Sequence, residues 1–289
     1  MKIKSPIRPA SFFLACLISA AYPSVSAAQT GANSAGAAAM NGLSYADMAD
    51  LADASALVAV VRIRSIIKLD PKRVADVPAG YQRLYIEADV DTLIRGDGGI
   101  SPTVRYLYDA RLNPRGKLPK LKKAQMILFA RRAERPGEIQ LVARDAQIPA
   151  DPAAIQQVKA ILSELVANGA PPRIIGVGDA FHVKGTVAGE SETQIFLRTQ
   201  NGDPVSLSIL RRPGQQPRWA VALGEIVDEA AQPPAPGSLL WYRLACGLPQ
   251  SLPVRSIRSL PDIDADAARS DYALVMQALG ACERSRALS

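Results

Sequence analysis

The sequence predicts a mainly β protein with flanking α-helices. It reads as a small five-stranded, barrel-like domain followed by a β-sandwich-like domain with a C-terminal helix. Three observations carry this. Residues 56–69, ALVAVVRIRSIIKL, are rich in Val and Ile and alternate from Val61 onward, which suits a half-buried strand. Short apolar runs separated by Gly- and Pro-containing turns recur along the rest of the chain. Only three stretches carry helical periodicity.

The first 28 residues read as a secretory signal. Lys2, Lys4 and Arg8 precede the apolar segment SFFLACLISAA, which Pro23 breaks before a small-residue cleavage site near Ala27 or Ala28. The segment is too short to span a bilayer, and no later run approaches 18 apolar residues. The sequence therefore predicts a periplasmic or secreted protein without a transmembrane segment after cleavage. Removing the signal's three basic residues takes the chain from 34 basic and 27 acidic residues to 31 and 27, a mature charge of +4. Cys246 and Cys282 remain, an even number that favours one disulfide in an exported chain.

Residues 29–43 read as a flexible tail of Gly, Ala, Ser and Asn. The first domain is expected over 44–169. Ser44 caps a short helix, with Asp47 three residues on and Leu43 placed to staple onto Met48. In the first strand Val61, Ile63 and Ile67 should face a core, with Arg62 and Arg64 outward. A second strand, 81–91, turns Glu87, Asp89 and Asp91 outward, so the two rows should pair as cross-strand ions. Strands at 104–108, 125–130 and 139–143 follow, with a basic loop over 109–123. Asp151 as N-cap and Pro152 at the first helical position open a closing helix that Asn168-Gly169 ends. Five strands with a flanking helix are similar in architecture to OB-type or netrin-like barrels, although the cysteines of netrin-like modules are missing here.

Ala170-Pro171-Pro172 marks the boundary to a second domain, 173–289. Its strands are expected at 173–177, 180–187, 193–199, 205–210, 218–227 and 239–245. A three-residue loop, Gln200-Asn201-Gly202, puts Ile195 and Leu197 on one face with Val205, Leu207 and Ile209. A two-residue loop would set them against Ser206 and Ser208, so the longer loop is preferred. A helix over 265–281 shares Ala268, Tyr272, Val275 and Leu279 on one face, and a Cys246–Cys282 bond would clamp it to the preceding strand.

Composition removes several chemistries. A single His, His182, and two distant Cys supply no zinc-ligand spacing. Asp262-x-Asp264-x-Asp266 lacks the Gly and Glu of a calcium loop and reads instead as acids at a helix N-terminus. Gly176-x-Gly178 precedes a strand and lacks a third Gly, so it is no nucleotide fingerprint. A serine triad through His182 and Asp179, or a carboxylate pair among Glu190, Glu192 and Glu225, has no fixed geometry in the sequence. No catalytic residue, cofactor or metal is assigned.

Charge is the uneven feature. Between Ser101 and Arg135 ten basic residues face only Asp109 and Glu134, so this stretch carries +8 and the rest of the mature chain −4. Arg115, Lys117, Lys120, Lys122, Lys123, Arg131 and Arg132 are its candidate anion-binding residues. The VRIR strand at 61–64 and the segment GESETQIFLRTQNGDPVSLSILRRPGQQPRW at 189–219 resemble exported bacterial proteins of unknown function. That resemblance implies export and brings no activity with it. The sequence as a whole predicts a non-catalytic binding or scaffolding protein of the cell envelope. Its alternatives are a secreted hydrolase and a polyanion-binding module built on 101–135. An anionic polymer or membrane surface is the partner that charge suggests. Nucleic acid is disfavoured by export and by the lack of aromatic residues in the basic loop.

Overall fold

Ser44 opens the first helix, α1 (Tyr45–Ala54), with a reciprocal capping box: its hydroxyl accepts from the Asp47 N–H, and the Asp47 carboxylate accepts from the Ser44 N–H. The computed structural model describes residues 43–224 and 232–286. The signal and tail, Glu225 and the predicted strand end at 225–227 lie outside the described residues. No helix in the described part is long and apolar enough to cross a membrane.

Four long strands and a short one then build the first sheet: β1 (Leu57–Lys68), β2 (Tyr81–Arg95), β3 (Thr103–Arg111), β4 (Gln125–Arg132) and the three-residue β5 (Ile139–Leu141). Their order is β3-β2-β1-β4-β5, and the short β6 (Gln147–Pro149) also pairs β4. A parallel bridge between Arg105 and Glu138 brings β3 back to the start of β5. The sheet thus curls toward the nearly closed five-stranded barrel expected from the strand pattern. The basic loop starts later than expected, because β3 continues through Arg111.

The acidic and basic rows pair as their alternation requires. Arg62 reaches Asp91 at 3.0 Å, and Arg64 lies 3.6 Å from Glu87 and 3.8 Å from Asp89. One consequence of the pairing departs from simple alternation. Between Ile63 and Ser65 the register shifts, leaving Arg64 unpaired in a bulge. Beyond it the faces exchange: Ile66 packs against the core, and Ile67, expected inward, is 57% exposed.

Helix α2 (Pro152–Val166) has the expected start, with the Asp151 carboxylate accepting from Ala154 N–H at 2.8 Å. Four strands form the second sheet, in the order β10-β9-β8-β7: β7 (Ile174–Lys184), β8 (Ser191–Thr199), β9 (Val205–Arg211) and β10 (Arg218–Ala222). The two strands expected over 173–187 are one bulged strand. Ile195 pairs Leu207 and Leu197 pairs Val205, while Gly202 is left-handed at φ 84°, as the three-residue loop requires.

The layer facing this sheet is helical where a sandwich would place more strands. Residues 239–245 were expected to be a strand; they belong to α3 (Leu239–Gly247). Ser238 caps it by accepting from the Trp241 N–H at 3.2 Å. An all-apolar run does not distinguish a buried strand from a buried helix, and the cap decides here. Helix α4 (Asp262–Leu279) completes the layer. Leu239 and Tyr242 of α3 enter the first sheet's core, and Leu244 and Ala245 enter the second's. Cys246 and Cys282 are bonded, so the disulfide joins the end of α4 to α3 rather than to a strand. Its loop of about 36 residues stabilises the chain by about 3–4 kcal/mol in the chain-entropy model.

Beyond Cys282 the chain returns to α1. Arg284 pairs with Asp50, which also accepts from the Tyr242 hydroxyl at 2.5 Å. The Asp47 carboxylate accepts from Ser285 N–H at 2.9 Å, the Ser285 hydroxyl at 2.6 Å and Arg286 N–H at 3.0 Å. Arg243 donates to both oxygens of Asp53, at 2.7 and 3.0 Å, and Arg173 adds a third contact. Burial would raise the pKa of Asp47, but hydrogen bonds from Ser285, Ser44 and Arg286 outweigh it and hold the carboxyl below the ordinary range. Asp53 is likewise pushed up by burial and pulled down further by Arg243 and Arg173.

Both carboxyls are depressed relative to the unfolded chain. Their stabilisation is therefore complete above the ordinary aspartate pKa of about 3.9 and is lost as pH falls through the folded values. Urea midpoints measured from pH 7 to pH 3 should fall, and those of an Asp53→Asn protein should fall less steeply. An unchanged acid dependence in the variant would remove Asp53 from this account.

Candidate functional site

A cleft of about 800 Å³ lies on the outside of the first sheet, along the seam between β3 and β5. Five arginines line it: Arg83 from β2, Arg105 from β3, Arg131 from β4, Arg135 from the β4–β5 turn and Arg144 from the segment before β6. The strand period of two places Arg83 and Arg105 on the solvent side of their strands. Asp76, Asp109 and Glu138 also line the cleft, leaving it a formal +2.

These arginines are not equivalent. Arg83 forms a fork on Asp109 at 2.7 and 2.8 Å, and it also donates to Ala75 C=O at 3.1 Å. The Asp109 side chain is only 3% exposed. That hydrogen bond is the main reason the Arg83 guanidinium holds its proton more tightly than an isolated one. Arg144 donates to Asp76 C=O, and Arg131 Nε donates to the Gln140 amide oxygen at 3.2 Å. Among the described residues, Arg105 and Arg135 have no side-chain hydrogen bond or ion pair. The Arg105 guanidinium lies over the β4–β5 turn, 3.6 Å from where a Cβ on Gly137 would stand. Gly137 itself has φ 76°.

The sequence candidates fall in three places. Arg115, Lys117, Lys120, Lys122 and Lys123 are exposed on the loop that leaves β3 after Arg111. Asn113 orders this loop: its side-chain oxygen accepts from Arg115 N–H and Lys117 N–H, both at 2.9 Å. Lys123 takes a left-handed conformation, φ 68°, that lets its N–H reach Ile63 C=O at 2.9 Å. Arg131 belongs to the cleft instead. Arg132 is turned away to the 97–99 turn, where it donates to the Asp97 and Gly99 carbonyls. Arg83 and Arg144 were not legible as candidates because they lie outside the basic stretch 101–135, and Arg105 and Arg135 lie within it but were not singled out.

His182 makes a hydrogen bond from Nδ1 to the Thr193 hydroxyl at 2.8 Å, and Thr193 donates to Asp271. One hydroxyl proton cannot serve both neighbours, so the His182 Nδ1 carries the proton shared with Thr193. Arg211 balances Asp271, with Nε donating at 2.6 Å. Thr193 is fully buried and committed to Asp271, which makes it unsuitable as a nucleophile. Gly176 and Gly178 make room for the Arg198 side chain and the Phe196 carbonyl. Asp264 faces Lys184 at 3.3 Å and Asp266 pairs Arg269 at 2.6 Å, so these acids sit on α4 as charge partners. Among the described residues no group of three or more metal-ligating side chains is close enough to hold a metal ion.

No family model matches the chain, and no curated protein matches it.

The cleft's floor depends on the Arg83–Asp109 fork. Arg83→Ala should destabilise the protein by about 3 kcal/mol, because it leaves Asp109 buried without its cation. The double variant Arg83→Ala/Asp109→Ala should cost less than the single one. Chemical denaturation of the parent, single and double variants checks this; a double variant at least as damaging as Arg83→Ala alone would contradict it.

Proposed function

We propose that the chain is an exported, non-catalytic binding protein of the cell envelope whose partner is anionic. The observation that carries this reading is the convergence of five guanidinium groups on one cleft, continuous along β3 with an ordered lysine-rich loop. Arginine forks suit carboxylate, phosphate and sulfate groups. Exposed lysines attract a polyanion over longer range. The disulfide fits an oxidising compartment, which supports export.

The loop and the cleft have different roles in this reading. Lysines 117, 120, 122 and 123 hold the surface near an anionic polymer or membrane without fixing its geometry. The cleft supplies the directional contacts.

Retention on an anionic resin tests the loop. Lys120→Gln/Lys122→Gln/Lys123→Gln should elute at lower salt than the parent, with an unchanged thermal midpoint. Retention of both should vanish by several hundred millimolar salt, where the Debye length is roughly 4 Å. Identical elution of the two proteins would make the loop an ordinary solvated surface.

A further inference from the structure

Three outward-facing side chains, two exposed and one half-buried, stand in one row across the outer face of the first sheet. Ile67 on β1 is directly opposite Tyr85 on β2, and Tyr85 is directly opposite Leu107 on β3. Ile67 is 57% exposed and Leu107 49%. The bulge at Arg64 is what turns Ile67 outward to complete the row. Tyr85 and Leu107 line the arginine cleft, so the row runs from β1 into it. Charged residues border the row on both sides: Arg83 paired with Asp109 on one, and Glu87 in register with Arg105 but without an ion pair to it on the other. Exposed apolar residues in a row that ends at unpaired guanidinium groups form a surface with an apolar track and a cationic end.

We infer that the cleft binds an amphiphilic oxyanion: a phosphate, sulfate or carboxylate head on a short alkyl or fused aromatic body. Arg105 and Arg135 take the head. Both are free of competing side-chain partners among the described residues, and their planar forks match a tetrahedral or carboxylate anion in two-point contact. Arg83 and Arg144 remain the wall, held by Asp109 and by the Asp76 carbonyl. The body lies along Leu107, Tyr85 and Ile67. Two strand spacings separate its ends, about 10 Å, which fits a fused ring system or a short alkyl chain. This assignment rests on the reading of the cleft as an anion site and adds the apolar half of the ligand. It does not depend on the lysine loop.

The probe is 2-naphthyl phosphate, titrated calorimetrically into the full mature chain, against inorganic phosphate and 2-naphthol. Naphthyl phosphate should bind about tenfold or more tighter than either half. Arg105→Gln/Arg135→Gln should weaken it about tenfold, and Ile67→Thr/Leu107→Thr by several-fold. All four positions are exposed, so the variants should keep the parent's thermal midpoint. The triple lysine variant should bind it as the parent does; this separates failure of the polyanion reading from failure of the cleft assignment. Sedimentation with phosphatidylglycerol vesicles, competed by the probe, would identify the natural ligand as a lipid. Probe binding without vesicle binding would identify it as a free small anion. Affinity for naphthyl phosphate no better than for inorganic phosphate, or no loss in the Arg105/Arg135 variant, would overturn the assignment.

Discussion

Strand β1 must satisfy two neighbours along half its length and only one along the rest. From Val58 to Arg62 it pairs β4 on one side and β2 on the other. Beyond Ile63, which still bonds the backbone of residues 123–124, it continues with β2 alone, and the residue that β1 bulges out, Arg64, sits just past that point. Without the bulge, alternation would send Ile67 into the core and Ile66 to water. With it, Ile66 packs inward and Ile67 joins the outer row with Tyr85 and Leu107. The extra residue also gives the Arg64 guanidinium reach to both Glu87 and Asp89. Such exposed pairs contribute little energy each, and they pin register more than they stabilise. One inserted residue therefore fixes both the core of the barrel and the shape of its outer face.

The junction between the two sheets keeps that face in place. Helix α1 buries Asp47 and Asp50 and half-buries Asp53, and each finds its cations or donors elsewhere in the chain: Arg243 and Arg173 for Asp53, Tyr242 and Arg284 for Asp50, Ser285 and Arg286 for Asp47. A buried carboxylate without such partners would cost several kcal/mol, so the C-terminal segment is obliged to dock. The disulfide holds that segment near its site by tying Cys282 to α3. Arg286 extends the network to Asp145, the neighbour of Arg144 in the cleft wall. The cleft and the C-terminus are thereby connected through one residue pair.

Much of this was legible in the sequence, and the exceptions have physical causes. The β8–β9 hairpin could be read to the residue, because only a three-residue loop puts all five apolar side chains on one face. The capping signals of α1 and α2 gave both helix starts, and the outward rows of Arg and Asp/Glu gave the first pairing. Residues 239–245 were misread because Leu-Leu-Trp-Tyr is apolar on every side; Ser238 was the signal for a helix. The bulge was invisible, since nothing local distinguishes an unpaired Arg64 from a paired one. The cleft was only half visible. Arg131 was among the sequence candidates, Arg105 and Arg135 lay in the basic stretch without being singled out, and Arg83 and Arg144 join them only through the fold.

The central claim is that the outward turn of Ile67 and the arginine cleft form one ligand surface. The most direct measurement is methyl NMR of the protein with 2-naphthyl phosphate, comparing two adjacent residues on opposite faces of β1. The account predicts contacts from the naphthyl ring to Ile67 and Leu107 methyls and none to Ile66. Contacts at Ile66, or a response confined to methyls of the second sheet such as those of exposed Val183, would contradict it.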